Sequence, residues 1–366
     1  MLFQKVHRFR DLLPKQVMNN EQLVHFLDEI AGGHGVRVGA IPFGTVEPII
    51  ELFEKERTNN RKVNHARKLG PDIALFNLTY TGPERITSET LSGDFIIAKS
   101  QSHTSSYILY FIDSGGFFSK SLKPVVSNLF PQIILTTIKT DEMRGLIELY
   151  KQSHGLSNVR IRRASQQLRF HDNKPMSAVV WPNMGTEEAF AFLHENNGWF
   201  KSIEFEAYSN GSSWGKVSIA RNGTVRTTLR YRAAANTIVQ SIVDQVESQI
   251  TLFSNRSRSK AENFEVKPLS IVFSEPLFEK VETNKTFIEQ FRTMKNASVS
   301  VIHGNPYLHI QLIDYYDGSS FDVWVIESNR VDIVPQTKAS AGSIKRITKH
   351  VFNTFAEGEV REYATT

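Results

Sequence analysis

Arginine is the residue whose spacing in this chain could do chemistry. In the stretch 224–232, taken as one extended strand, Arg226, Thr228, Arg230 and Arg232 fall on one side. Val225, Thr227, Leu229 and Tyr231 fall on the other, because strand side chains alternate. Two-residue spacing sets neighbouring side chains about 7 Å apart. A row of guanidinium groups at that spacing repels itself, and a row of phosphates is its natural partner, since arginine forks onto phosphate oxygens. Val159-Arg160-Ile161-Arg162 repeats the alternation and Arg163 extends it. Arg160, Arg162, Arg163, Arg226, Arg230 and Arg232 are therefore the expected phosphate-binding residues. The opposing expectation is a solvated sheet face, or arginines paired with acids from elsewhere in the chain.

The surrounding charge pattern favours the first reading. Between Lys151 and His171 there are five lysines or arginines and no carboxylate, and the same holds between Ala207 and Val243. Basic residues recur at Arg256, Arg258 and Lys260, and again at Lys338, Lys345, Arg346 and Lys349. Acids gather in Glu47–Glu56, Glu187–Glu206 and Glu275–Glu289. Aromatic residues lie near the basic windows: Phe170, Trp199, Phe200, Trp214 and Tyr231. Bases stack on exposed rings, but Trp214 and Tyr231 occupy apolar-facing positions and are expected in the core.

Carboxylates offer a weaker site. A metal-dependent nuclease holds its ion with an acid followed by Glu-X-Lys on the next strand. Asp322 and Glu327 approximate this, with Asp314 and Asp317 nearby, but Glu327-Ser328-Asn329 lacks the lysine. Asp72 with Glu84-Arg85 is interrupted by Thr81-Gly82-Pro83. Asp72, Asp322 and Glu327 are thus the candidate catalytic acids of a secondary reading. None of the 11 histidines is spaced as a metal pair, and no metal or cofactor is expected. His103 lies near Ser102, Ser105 and Ser106 but lacks a Gly-X-Ser-X-Gly elbow. His194 and His350 are expected at a buried helix edge and a helix-end charge. Gly32-Gly33-His34-Gly35 follows a helix and precedes a strand, the reverse of a phosphate-binding loop, so it reads as helix termination.

The elements that must carry these residues follow from periodicity. Asn20 opens a helix over 21–30 with Leu23, Phe26, Leu27 and Ile30 on one face. Strands are expected at 36–41, 73–80, 95–98 and 107–113, and an extended segment at 133–138. Helices are expected from Pro48 through about Arg67, over 120–130 and over 141–152. Beyond residue 176 the chain repeats itself. Aligning 208–222 with 315–329 gives identities at Tyr208/Tyr315, Gly211/Gly318, Ser212/Ser319, Ser213/Ser320, Ile219/Ile326 and Asn222/Asn329. Each copy reads as a short strand (178–181 or 269–273) and a threonine-led helix (186–195 or 283–294). A hairpin with an Asn-Gly or Asp-Gly turn follows, then a third strand and an amphipathic helix (233–253 or 341–355). The second copy carries extra residues, expected as an added strand at 298–302. Where the first copy has its arginine row, the second has Asp332, Val334 and Gln336, which suits packing or dimerisation instead.

The expected fold class is α+β (mixed α/β): an N-terminal domain over 1–155, a first repeat lobe with the basic strand over 156–265, and a second lobe over 266–366. The chain has 366 residues, 40% of them hydrophobic and 22% charged, an ordinary globular mixture, and its net charge is +5. It has no cysteine, which excludes disulfide scaffolds, thiolate metal sites and a cysteine nucleophile. Charges interrupt the first eleven residues and no apolar run spans a bilayer, so neither signal peptide nor membrane segment is expected. Without a signal, the six Asn-X-Ser/Thr triplets carry no meaning. The expected function is non-enzymatic binding of a DNA or RNA backbone by a basic sheet face, in the cytoplasm. A structural or adaptor subunit with a protein partner or as a homo-oligomer is the second reading, and the metal-dependent nuclease the third.

Overall fold

A computed structural model describes residues 9–14, 17–33, 36–55, 57–58, 60–82, 90–113, 116–168, 176–177, 184–195, 198–258, 265–304 and 307–363. The fold is mixed α+β with antiparallel sheets. Contacts divide it into two compact units, 1–129 with 135–247, and 130–134 with 248–366. The division falls within the helix Gln240–Phe253. Strands from both sides of residue 155 hydrogen-bond into one sheet. That is why the first unit runs on to residue 247 instead of ending near 155.

In chain order the first strands are β1 (Val38–Gly44), β2 (Arg57–Thr58), β3 (Arg61–Gly70), β4 (Ile73–Thr81), β5 (Thr90–Lys99) and β6 (Ser106–Ile112). After β7 (Ile134–Leu135) come β8 (Asn158–Leu168), β9 (Met176–Ser177), β10 (Met184–Gly185), β11 (Trp199–Ser209), β12 (Ser212–Ala220) and β13 (Val225–Thr228). The main path of the sheet is β10-β8-β11-β12-β13-β1-β6-β5-β4-β3-β2. Its two halves meet where β1 pairs with β13, Val38 to Thr227, Gly39 to Arg226 and Ala40 to Val225.

Alternation sorts the two faces. Ile96, Tyr110, Val38, Val225, Val217 and Phe205 belong to one core. The helices Asn20–Gly33, Thr140–Ser153 and the helical run from Tyr231 to Phe253 bring Leu23, Leu27, Ile147, Ile238 and Ile242 to it. On the opposite face, Phe43, Phe53, Phe76, Phe95, Phe111 and Phe118 are buried together, with Phe76 and Phe95 stacked at 5.2 Å and Phe111 and Phe118 at 4.5 Å.

Three expectations change. The helix expected from Pro48 to Arg67 ends at Glu54, and Arg61–Gly70 is a strand. The apolar helical spacing lapses after Phe53, and Gly70-Pro71-Asp72-Ile73 folds β3 back onto β4 through a two-residue turn, with Gly70 opposite Ile73. The expected strand 224–232 stops at Thr228. Leu229 and Arg230 take positive φ (75° and 48°), and a helix begins at Tyr231. The extended segment expected over 133–138 is a strand only at Ile134–Leu135. The strand expected at 178–181 lies outside the described residues.

The second unit has β14 (Leu269–Val272), β15 (Ala297–His303), β16 (Leu308–Asp314), β17 (Ser320–Val325), β18 (Arg330–Pro335) and β19 (Glu359–Glu362), ordered β15-β16-β17-β18-β14-β19. Alternation is sharp. Leu308, Ile310 and Leu312 are buried beside Phe321, Val323 and Val325, and join Phe287, Phe291, Ile344, Ile347 and Val351 of the helices Val281–Arg292 and Ala341–Thr354. The added strand expected at 298–302 is β15. The repeat expected across the two lobes reaches the order helix, hairpin, strand, helix, but not the residue correspondence. Ile219 is fully buried, whereas its aligned partner Ile326 is 67% exposed beyond the end of β17. Asn210 has positive φ in its turn, and among the described positive-φ residues Asp317 does not appear.

The β1–β13 junction makes a prediction. A Cβ on Gly39 would stand 2.2 Å from the Phe111 ring. Gly39→Ala should lower stability by about 1–3 kcal/mol, the usual cost of overpacking. Adding Phe111→Leu, which shortens the obstructing ring, should recover part of that loss in urea denaturation.

Candidate nucleic-acid interface

The arginine row does not form, and the local backbone gives the reason. β13 ends at Thr228 because Thr227 Oγ1 donates to the Leu229 carbonyl (2.9 Å) as the chain turns through two left-handed residues. Such conformations cost non-glycine residues of order 1–3 kcal/mol and persist only where surroundings enforce them. Here the new helix is held from outside, since the Arg232 backbone N–H donates to Asp28 Oδ1 (2.9 Å). A carboxylate at a helix N-terminus satisfies a free donor and suits the helix dipole.

Each expected phosphate ligand consequently has its own surroundings. Arg226 lies 3.1 Å from Asp113 Oδ2, and its guanidinium sits 4.4 Å over the Phe118 ring. Burial lowers its pKa from the ordinary arginine value, with Asp113 opposing that shift. Arg230 lies 3.8 Å over the Trp214 ring, and Arg232 reaches Glu21 at 3.5 Å. Trp214 is half-buried against the core, and Tyr231 is fully buried, from the start of a helix and not from the expected strand. Tyr231 packs edge-on to Tyr110, and burial raises the pKa of both hydroxyls.

On β8, Arg160 and Arg163 are exposed and Arg162 lies 3.3 Å from Glu206. Register sets Arg160 opposite Glu206 and Arg163 opposite Glu204. Glu204 also binds Arg37 at 2.6 Å. This face therefore interleaves signs where the linear sequence segregates them. Burial pushes Glu206 up, but hydrogen bonds from Ser213 (2.8 Å) and Tyr208 (3.0 Å), with Lys216 and Arg162 nearby, outweigh it and hold the carboxyl below its ordinary range.

A run of cations without a carboxylate at ion-pair distance lies on β3. Lys62, Arg67 and Lys68 are exposed on that strand, and Arg61 is half-exposed. Arg61 donates to the Lys120 carbonyl (3.3 Å) and stands over Tyr80, while Arg67 donates to the Pro14 carbonyl (3.3 Å). Among the described residues none of the four has a carboxylate at ion-pair distance. The signal was present in sequence, because Arg57 to Pro71 contains five lysines or arginines and no acid. Assigning that stretch to the polar end of a helix concealed it.

The candidate catalytic acids stand apart. Asp72 is an exposed turn residue whose carbonyl accepts from the Lys99 N–H, and Glu84-Arg85 lies outside the described residues. Asp322 lies on β17, 3.3 Å from His309 Nε2, and accepts from Gln336 at 2.5 Å. Glu327 pairs with Arg330 at 2.9 Å. Asp314 is fully buried against Arg346 (2.8 Å), and Asp317 accepts from the Ser319 N–H (2.9 Å) and Ser343 (3.1 Å) within its turn. Among the described residues no three His, Asp or Glu side chains group as metal ligands. His103 bonds Asp244 (2.8 Å), while Ser106 donates to Glu247 (2.6 Å) and away from the imidazole. His350 donates to the Gln290 carbonyl of the neighbouring helix Val281–Arg292 (2.8 Å), and burial lowers its pKa, which opposes the expected helix-end charge, while His194, expected at a buried edge, is exposed.

On the same face of the second sheet as Asp322, four rings form a ladder. His309 stacks on Trp324 at 3.7 Å, Tyr307 lies 6.2 Å from Trp324, and His303 lies 4.3 Å from Tyr307. No family model matches the chain, and no curated protein matches it.

Two outcomes test this geometry. Arg346→Ala leaves Asp314 buried without its partner and should cost about 3–5 kcal/mol in denaturant unfolding. The Glu206 pKa is depressed on folding, so its contribution to stability is present above the ordinary glutamate pKa and is lost as pH falls through the folded value. Ser213→Ala removes part of the depression. In thermal melts across acidic pH, that variant should begin losing this contribution at a higher pH than the parent chain.

Proposed function

We propose that this chain binds nucleic acid through the phosphate backbone and performs no catalysis of its own. The observation that carries the reading is the set of exposed cations on β3, Lys62, Arg67 and Lys68, which meet no carboxylate among the described residues. Phosphate contacts need mobile or forked cations that are not already neutralised, and they supply affinity without choosing a sequence. Arg160 and Arg163 on β8 are exposed, with Glu204 and Glu206 opposite them, and Arg230 and Arg232 are exposed too, so these four of the arginine set can still contribute. Arg226 is held part-buried beside Asp113, while Arg230 and Arg232 are exposed over Trp214 and near Glu21. The net charge of +5 supports the same direction.

The competing explanation of β3 is that cations close to a sheet edge discourage pairing with another chain. Fluorescence anisotropy with labelled DNA and RNA, single- and double-stranded, at two salt concentrations separates the two. Backbone binding predicts a steep loss of affinity with salt. The double variant Lys62→Glu, Lys68→Glu should weaken binding to all sequences alike and flatten the logarithmic salt slope by about two. No binding at low salt, or an unchanged slope, refutes the proposal. Self-association of the double variant with unchanged binding assigns β3 to edge protection.

An adaptor role is the second reading, and a distinct observation favours it. Large apolar side chains are exposed on the second unit: Ile302 at 57%, Tyr307 at 42%, Ile313 at 41% and Ile326 at 67%. Co-purification of a protein partner after nuclease treatment would support that role.

A further inference from the structure

An unpaired strand edge presents a row of free N–H and C=O groups, and proteins commonly blunt it with charge, proline, short length or a cover. Most edges here follow that rule. In the first sheet, β2 and β10 are two residues long. In the second sheet, β19 has four residues, two of them glutamate, and its Arg361 pairs with Glu359. β15 departs from it. Its seven residues, Ala-Ser-Val-Ser-Val-Ile-His, contain no lysine, arginine, aspartate, glutamate or proline. It pairs with β16 on one side, and among the described residues nothing hydrogen-bonds its backbone on the other.

The strand is also held in place. Arg346 donates to the carbonyls of Lys295 and, at 3.0 Å, Asn296 immediately before it, while bonding buried Asp314 across the β15–β16 pair. An edge fixed in its paired conformation loses little freedom when another strand joins it.

We propose that β15 is a homodimerisation edge, pairing antiparallel with β15 of a second copy of this chain about a twofold axis at Ser300. The sequence around Ser300 is self-complementary. Such a register sets Ser300 against Ser300, Val299 against Val301 and Ser298 against Ile302, with no charge opposed to a like charge. Val299 and Val301 lie opposite Leu312 and Ile310 in β16 and remain part-exposed, so each sheet's core is extended by the other's valines. Ile302, 57% exposed, gains a covered position at the rim. A seven-residue edge buries less than the roughly 1,200 Å² typical of a stable interface, so the association is concentration-dependent. The inference does not rest on nucleic-acid binding.

The test is sedimentation equilibrium of the full chain over a concentration series without nucleic acid. The mass should rise from 41.6 kDa toward twice that value. Ser300→Lys places two lysines face to face at the axis and should leave a monomer whose thermal melt matches that of the parent chain at concentrations where the parent is monomeric. Ile302→Lys, at an exposed position, should weaken the dimer as well. Mixing Ser300→Lys with Ser300→Glu chains should restore a dimer containing one of each. A parent chain that stays at 41.6 kDa at every concentration overturns the proposal. So does a dimer that survives Ser300→Lys, or a mixture that fails to pair.

Discussion

The pairing of three residues of β1 with three of β13 is the interaction on which the first unit depends. Without it, β1–β6 and β8–β13 would each end in a long open edge. The junction works because Gly39 has no side chain. The Phe111 ring occupies the space a Cβ would need, and Phe118 stacks on that ring. Arg226, directly opposite Gly39, lays its guanidinium over Phe118 beside Asp113. A glycine, two phenylalanines, an arginine and an aspartate form one joint, so the arginine is consumed by the fold.

The same logic governs most charges near the expected sites. Glu206 collects Ser213, Tyr208 and Arg162, and Glu204 collects Arg37. Asp332 accepts from Ser270 at 2.6 Å and lies 3.0 Å from Arg330. Buried or half-buried carboxylates require such partners, because an uncompensated charge away from water is costly. Other side chains stay exposed without such partners, among them Lys62, Arg67 and Lys68 of β3 in the first unit and Ile302 of β15 in the second.

Much of the architecture was legible. The helix opened by Asn20, the helix from Thr186 to Glu195, the strands at 73–80 and 107–113 and the added strand at 298–302 all declare themselves by apolar period. In each, burial on one face decides the conformation. The misreadings share a cause. Arg61–Gly70 has a weak apolar pattern of its own, and becomes a strand because β4 pairs with it along its length. Leu229 and Arg230 are unremarkable letters whose left-handed backbone is imposed by Asp28, 204 residues away from Arg232 in the chain, and by the core beneath Tyr231. The aligned pair Ile219 and Ile326 looks equivalent in sequence, but β12 runs through Ala220 whereas β17 stops at Val325.

By itself, then, the sequence determined the class of fold, the alternation of helix and antiparallel strand, and which side chains are apolar enough to build two cores. Those are consequences of local periodicity, and a residue's near neighbours suffice to express them. Only the tertiary structure decided which cations remain free. A guanidinium's availability depends on whether a carboxylate from a distant stretch comes within a few ångströms of it, as Asp113 does for Arg226. Charge counted along a chain ignores those approaches, because electrostatic and stacking energies depend on distance in space and not on separation in sequence.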